Sequence, residues 1–315
     1  PAVKNIQHQT HQLWQILPLL GFLLNGCIFK GDDCSPKMKD RYIILQIVDK
    51  AIGKDITETG EAGNAQLYLF SPEGEYAGQF LASSEQIKNH TPILLPTGKL
   101  DKYHVAAWAN MGTSQHFLLP SENSRIEEQA VFLIKGENEY QQNPDNLFFG
   151  YANLAATAEC SPEKITLVRK NARMHITVRG LDTNTPEDDY YLTIQIPNNG
   201  YNFSGKPSDG VTTFRETGKF EDNGDFSTRE TFNLIHTDEE ETSSTNGITV
   251  CLYEKSSERS TERLLVSTTQ DRRGQPLSLP SGQTVNLLID LREGTNITVY
   301  TRITPWDKIY QWTIW

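Results

Sequence analysis

The sequence predicts an all-β protein, two tandem β-sandwich domains behind an apolar leader. Runs of four to eight β-branched and aromatic residues recur between turns rich in Gly, Pro and Asn, while helical periodicity is nearly absent. At 315 residues with 37% hydrophobic and 10% aromatic content, the chain is long enough to bury two cores of ordinary size. Its net charge of -11 excludes a surface built to neutralise nucleic-acid phosphates, which requires clustered Lys and Arg.

Residues 13–24 form the strongly apolar window, interrupted by Pro18 and Gly21. A membrane-spanning helix needs about twenty apolar residues, so this length fits the apolar region of a secretory signal, residues 1–26. The chain opens at Pro1 without a methionine, and further residues are expected upstream. The run closes as Leu24-Asn25-Gly26-Cys27, which resembles a bacterial lipobox. That resemblance implies that the thiol of Cys27 is diacylated and that Cys27 becomes the new N-terminus. Acyl chains anchor durably when two or three are present, because each buried methylene contributes about 0.8 kcal/mol. Asn25 departs from the small or aliphatic residue usual at its position. Residues 27–40 form a lipidated tether, in which Lys30-Gly31-Asp32-Asp33 resembles the lysine-plus-acidic-pair signal that sends Bacteroidales lipoproteins to the cell surface. Cys34, Cys160 and Cys251 remain, an odd number without metal-ligand spacing, and burial as small apolar residues is the expected role.

The first sandwich is expected over residues 41–158. Residues 41–49, RYIILQIVD, predict its first strand, and a polar loop follows through Asn64. Residues 65–70 and 76–80 flank SPEG, a hairpin signal with Pro72 suited to a turn and Gly74 able to take positive φ. Ser84 is placed to cap a short helix over residues 85–89. A strand end at residues 93–95 leads through Pro-Thr-Gly into a strand with Tyr103, Val105 and Ala107 on one face and His104, Ala106 and Trp108 on the other. Residues 131–134 and 147–151 complete this half. The boundary is placed in AATAECSPEK, residues 155–164. The second sandwich, residues 159–315, opens with ITLVRKNARMHITVRGL and continues with strands at 190–196, 232–236, 248–253, 264–268, 285–291, 297–303 and 308–315.

Taken in order, the lipobox, AQLYLFSPEGEY, LPTGKLDKYHVAAW, NLFFGY, ITLVRKNARMHITVRGL and TRITPWDKIYQWTIW resemble the FimB-type fimbrial anchor family of the Bacteroidales, over nearly the whole chain. The resemblance implies two transthyretin-like Greek-key sandwiches in the type V fimbrial system. It also implies other fimbrial subunits as partners by strand exchange, and the outer membrane as a partner through the acyl chains on Cys27. In that system an Arg-specific protease removes the first strand of stalk subunits, and a neighbour's strand fills the emptied groove. Anchor subunits keep their lipid and hold the fibre. Here the loop at residues 50–64 carries Lys50 and Lys54 but no arginine, and the next arginine after Arg41 is Arg125. That favours a retained first strand and an anchor over a processed stalk or tip subunit. Residues 308–315, with alternating Tyr310, Trp312 and Ile314, are a candidate donor strand.

No enzymatic activity and no cofactor or metal are expected. The seven histidines have no paired-ligand spacing, and neither a G-x-S-x-G elbow nor a glycine-rich phosphate loop occurs. Residues 222–225, DNGD, lack the alternating oxygen ligands of a calcium loop and read as a hairpin turn. Arg173 and His175, near Arg169 and Lys170, read as a solvated face. The rival function is a surface glycan-binding lipoprotein, because Trp306, Trp312 and Trp315 with Tyr300 and Tyr310 concentrate stacking rings at the C-terminus. Cross-strand packing of those rings is the alternative.

Overall fold

The computed structural model describes residues 40–96, 102–118, 120–136, 138–155, 161–237, 247–256, 261–293, 297–306 and 308–313. Cys27, the leader, residues 27–39 of the expected tether, Cys34 and Cys160 lie outside them, while Asp40, expected in the tether, opens the first strand. The strands of the first half are β1 (Asp40–Asp49), β2 (Lys54–Asp55), β3 (Ala65–Phe70), β4 (Tyr76–Ala82), β5 (Ile93–Pro96), β6 (Lys102–Ala109), β7 (Gln115–Phe117), β8 (Ala130–Leu133) and β9 (Phe148–Ala155). There follow β10 (Glu163–Arg169), β11 (Asn171–Arg179), β12 (Tyr190–Ile196), β13 (Gly200–Asn202), β14 (Thr212–Phe220) and β15 (Phe226–Thr228). The chain ends with β16 (Phe232–Ile235), β17 (Thr249–Ser256), β18 (Thr261–Thr268), β19 (Gln283–Asp290) and β20 (Thr298–Pro305).

These strands form an all-β, sandwich-like fold. One sheet runs β2-β1-β10-β9-β6-β3-β4 with β5 also on β1, and another runs β18-β17-β12-β14-β15-β11-β19-β20 with β16 on β11. Period-two alternation in β1, β3, β6 and β10 sends Ile43, Leu45, Ile47, Leu67, Val105, Ile165 and Leu167 into one core. The second core collects Met174, Ile176, Leu192, Ile194, Phe214, Val250, Leu252, Leu287 and Ile289.

A small third sheet, β13-β8-β7, joins strands distant in sequence, since β13 pairs with β8 at Gly200↔Phe132 and Tyr201↔Val131. It covers the other face of β6, so Ala106 and Trp108 are as buried as Val105 and Ala107. Trp108 lies 4.5 Å from Phe149 and 5.9 Å from Tyr201, ring to ring, within a cluster that includes Tyr68, Phe70 and Phe203. The close approach requires a glycine: a Cβ on Gly200 would stand 2.0 Å from the Val131 carbonyl oxygen.

Several expectations are realised locally and some are shifted. The SPEG turn closes with the Gly74 N–H donating to the Ser71 carbonyl at 2.9 Å, and Gly74 takes φ 85°. The helix Ser84–Lys88 is capped by Ser83 and not by Ser84, because Gln86 at the third helical position completes a reciprocal capping box with Ser83. The DNGD segment is a hairpin turn between β14 and β15, with Gly224 at φ 82°. Residues 163–169, expected after the domain boundary, pair into the first sheet beside β1, and the second sheet begins only at Asn171. The chain bends at Lys170, so one apolar run feeds two sheets.

Candidate functional site

β1 is the first strand of the described residues, and its surroundings decide whether a groove is open beside β10. Along one edge β1 pairs in parallel with β10, from Ile43↔Glu163 to Val48↔Val168. Its other edge is covered at the start by β5, from Asp40↔Pro96 to Ile43↔Ile93, and at the end by β2, at Val48↔Asp55 and Asp49↔Lys54. Ile43, Leu45 and Ile47 are at most 1% exposed, filling three successive positions on the core face. Full burial of each such side chain is worth roughly 1.5–3 kcal/mol.

Polar contacts hold both ends. Arg41 donates to the Ala155 carbonyl, sits 3.3 Å from the Glu163 carboxylate and lies over the Tyr103 ring at 6.0 Å. At the far end the Ile47 N–H donates to the Thr57 hydroxyl at 2.8 Å, and the Ile56 N–H donates to the Ile47 carbonyl at 2.9 Å. Asp55 accepts from the hydroxyl and N–H of Thr57 and from the Gln46 amide. Those hydrogen bonds, the Thr57 hydroxyl first, hold its carboxyl down at about 2. The loop after β1 is exposed at residues 50–55, and its basic residues are Lys50 and Lys54. Arg41, the first arginine of the chain, is engaged within the strand pairing.

Beyond this loop, Arg169 at the end of β10 links the region to the C-terminus. It pairs with Glu61, and its guanidinium lies 4.6 Å from the Phe148 ring and 3.9 Å from the Trp306 ring. Arg173 lies over the same indole at 4.2 Å. The expected solvated face of β11 is therefore covered: Trp306 is buried, and burial pushes the His175 imidazole down from its ordinary value. Nothing in the local sequence marks this contact, because Arg169 and Trp306 are remote in the chain.

Residues 308–313, expected as a strand, are not one. After Pro305 the chain folds back across the outer face of β19 and β20. The Tyr310 N–H donates to Asn286 Oδ1 at 2.8 Å, and the Thr304 hydroxyl donates to the Lys308 carbonyl. Tyr310 meets Trp312 edge to face at 4.9 Å, and Tyr300 is 6.3 Å from Trp312. Cys251, on β17, is a free thiol that donates to the Ser267 hydroxyl at 3.5 Å. Among the described residues no helix is long and apolar enough to cross a membrane.

Residues 32–312 match the family model described as fimbrillin-A associated anchor proteins Mfa1 and Mfa2. The major fimbrium anchoring subunit FimB of Porphyromonas gingivalis is 26% identical over 314 residues, covering 94% of each chain. Among solved structures, the fimbrial anchor protein Mfa2 from Porphyromonas gingivalis superposes with a TM-score of 0.60 at 14% identity, over 85% of this chain and 97% of its own. A candidate polysaccharide-binding protein from Bacteroides thetaiotaomicron gives a TM-score of 0.64 at 15% identity, over 84% and 97%.

Proposed function

We propose, from the premise that the chain belongs to the family of fimbrillin-A associated anchor proteins, that it is the lipid-anchored base of a fimbria. In this reading Cys27 is acylated, the acyl chains hold the protein in the outer membrane with its folded part at the cell surface, and its partners are the other fimbrial subunits. The fibre stops growing on the anchor side because β1 stays in its groove. A sheet edge accepts one strand, and a groove whose ladder positions and side-chain pockets are filled offers nothing to an incoming donor.

The observation that supports this most is the enclosure of β1 on both edges, with Ile43, Leu45 and Ile47 buried and no arginine in the loop that follows. A subunit awaiting processing needs a cleavable, releasable strand. Here release would expose three aliphatic side chains and the edge of β10 at once. The neighbouring subunit joins elsewhere, and the exposed, non-strand course of residues 308–313 makes their role as donor a separate question from the retention of β1.

Metabolic labelling with a fatty-acid analogue tests the anchor. The reading expects label on the intact chain and none on Cys27→Ala, with the variant released from the outer membrane. A mature wild-type protein without label contradicts it.

A further inference from the structure

The aromatic residues at the C-terminus divide into two groups. Trp306 is buried against Arg169 and Arg173, whereas Tyr300, Tyr310 and Trp312 line a cavity of about 180 Å³ on the outer face of β20. Three arginines share that lining: Arg272 and Arg273 from the loop between β18 and β19, and Arg302 from β20. A second cavity of about 160 Å³ adjoins it through Asp271 and Arg272. Drug-sized ligands fill roughly 300–1,000 Å³, so each compartment has room for a single ring or small headgroup.

The charge of this groove is opposite to that of the chain. Three guanidiniums face one carboxylate, in a protein of net charge -11. That carboxylate, Asp271, is occupied within its own loop. It accepts from the N–H groups of Arg273 at 2.8 Å and Gln275 at 3.0 Å, and from the Thr301 hydroxyl at 3.3 Å. Among the described residues Arg272, Arg273 and Arg302 form no ion pair, although all three are exposed. Arg272 stacks over Tyr300 at 4.6 Å and Arg302 lies over Tyr310 at 5.6 Å. A guanidinium held by its flat face keeps its in-plane N–H donors available, the geometry that takes a carboxylate by two parallel hydrogen bonds. The indole N–H of Trp312, buried in the same wall, has no acceptor among the described residues.

We infer that this groove binds an acidic saccharide. Its carboxylate is taken by the unpaired guanidiniums, and a sugar ring lies against Tyr310 and Trp312, whose negative π faces attract the polarised C–H groups of a pyranose. The aromatic residues give the saccharide class and the arginines give the requirement for an acid.

The test is a tryptophan-fluorescence titration of the full chain at low salt with tetragalacturonate, and with neutral galactotetraose as the comparison. Saturable binding of the acidic oligomer is expected, at least tenfold tighter than the neutral one and at least fivefold weaker in 0.5 M NaCl, because exposed charges are screened. R273Q/R302Q is expected to lose at least tenfold in affinity, while R263Q, on β18 and outside the groove, retains it. Should the double variant lower Tm, Tyr310→Ala supplies the same test through the exposed aromatic wall, again with at least a tenfold loss. Four results overturn the inference: no binding of tetragalacturonate, equal affinity for the neutral oligomer, unchanged affinity in the groove variants, or equally tight binding of a tetraglutamate peptide.

Discussion

β1 and β20, the first and last strands among the described residues, both carry aliphatic side chains and lie in opposite environments. β1 lies inside its sheet with both edges paired, and Ile43 and Leu45 are at most 1% exposed. β20 is the last strand of its sheet, and Ile303 on it is 49% exposed, as is Ile309 just beyond at 51%. The difference teaches that an isoleucine does not by itself tell a sealed strand from an available one, since Ile43 is buried and Ile303 half-exposed. Position in the ladder does, and the proposed fibre base needs one sealed end.

Breaking the comparison at its sealed side has the largest expected effect. Deletion of residues 40–49 removes β1 from between β10 and the β2 and β5 edge, with its three buried aliphatics, and the expected outcome is loss of the cooperative unfolding transition in the first half by hydrogen exchange. A ten-residue peptide of the same sequence, added in excess, is expected to restore protection in β10 and β5. Leu45→Ala is the milder version, with an expected cost of about 2–5 kcal/mol read from the denaturant midpoint.

Glu216 sharpens the contrast at an intermediate scale, since it bears on how residues outside the strands cover the second core. It faces the same side of its sheet as Leu192, and Asn143 covers it by donating to its carboxylate at 2.8 Å. Burial pushes its carboxyl up to about 7, against the Asn143 hydrogen bond. A carboxyl whose folded value is raised binds more protons folded than unfolded, so stability falls as pH rises from about 4.5 to about 7 and is level above. Glu216→Gln is expected to remove that slope and to stabilise the protein at pH 8 by on the order of 2 kcal/mol, read from urea unfolding across pH 4 to 8. Asp55, held low at the far end of β1, works in the opposite sense, and its contribution is lost as pH falls from about 4 toward 2.

Truncation after residue 307 has the smallest expected effect. It removes the Tyr310 hydrogen bond to Asn286 and leaves Trp306 in place, so a loss of about 1 kcal/mol or less is expected in Tm measurements. A loss as large as that of Leu45→Ala would erase the difference between the two ends.

Much of this was legible in the sequence where a strand has alternating or continuous apolar residues. The run RYIILQIVD became β1, and residues 190–196 coincide with β12. Residues 212–220, TTFRETGKF, carry only Phe214 as a large buried side chain, and that weak pattern hid β14. Residues 308–313 show the converse: aromatic alternation mimics a strand, yet the segment lies across a sheet face, held by nearby Thr304 and by Asn286, 24 residues from Tyr310. The pairing of β10 with β1, the contact of Arg169 with Trp306 and the gathering of Arg272, Arg273 and Arg302 all depend on residues far apart in sequence. No local period encodes them.

Retention of β1 is tested most directly by peptide mapping and intact mass of the protein extracted from the cell surface with detergent. The account predicts a chain that begins at Cys27 and yields a peptide crossing residues 50–64 without an internal break. A mature protein whose N-terminus lies beyond Asp49 would contradict it, because the groove beside β10 would then be open to another subunit.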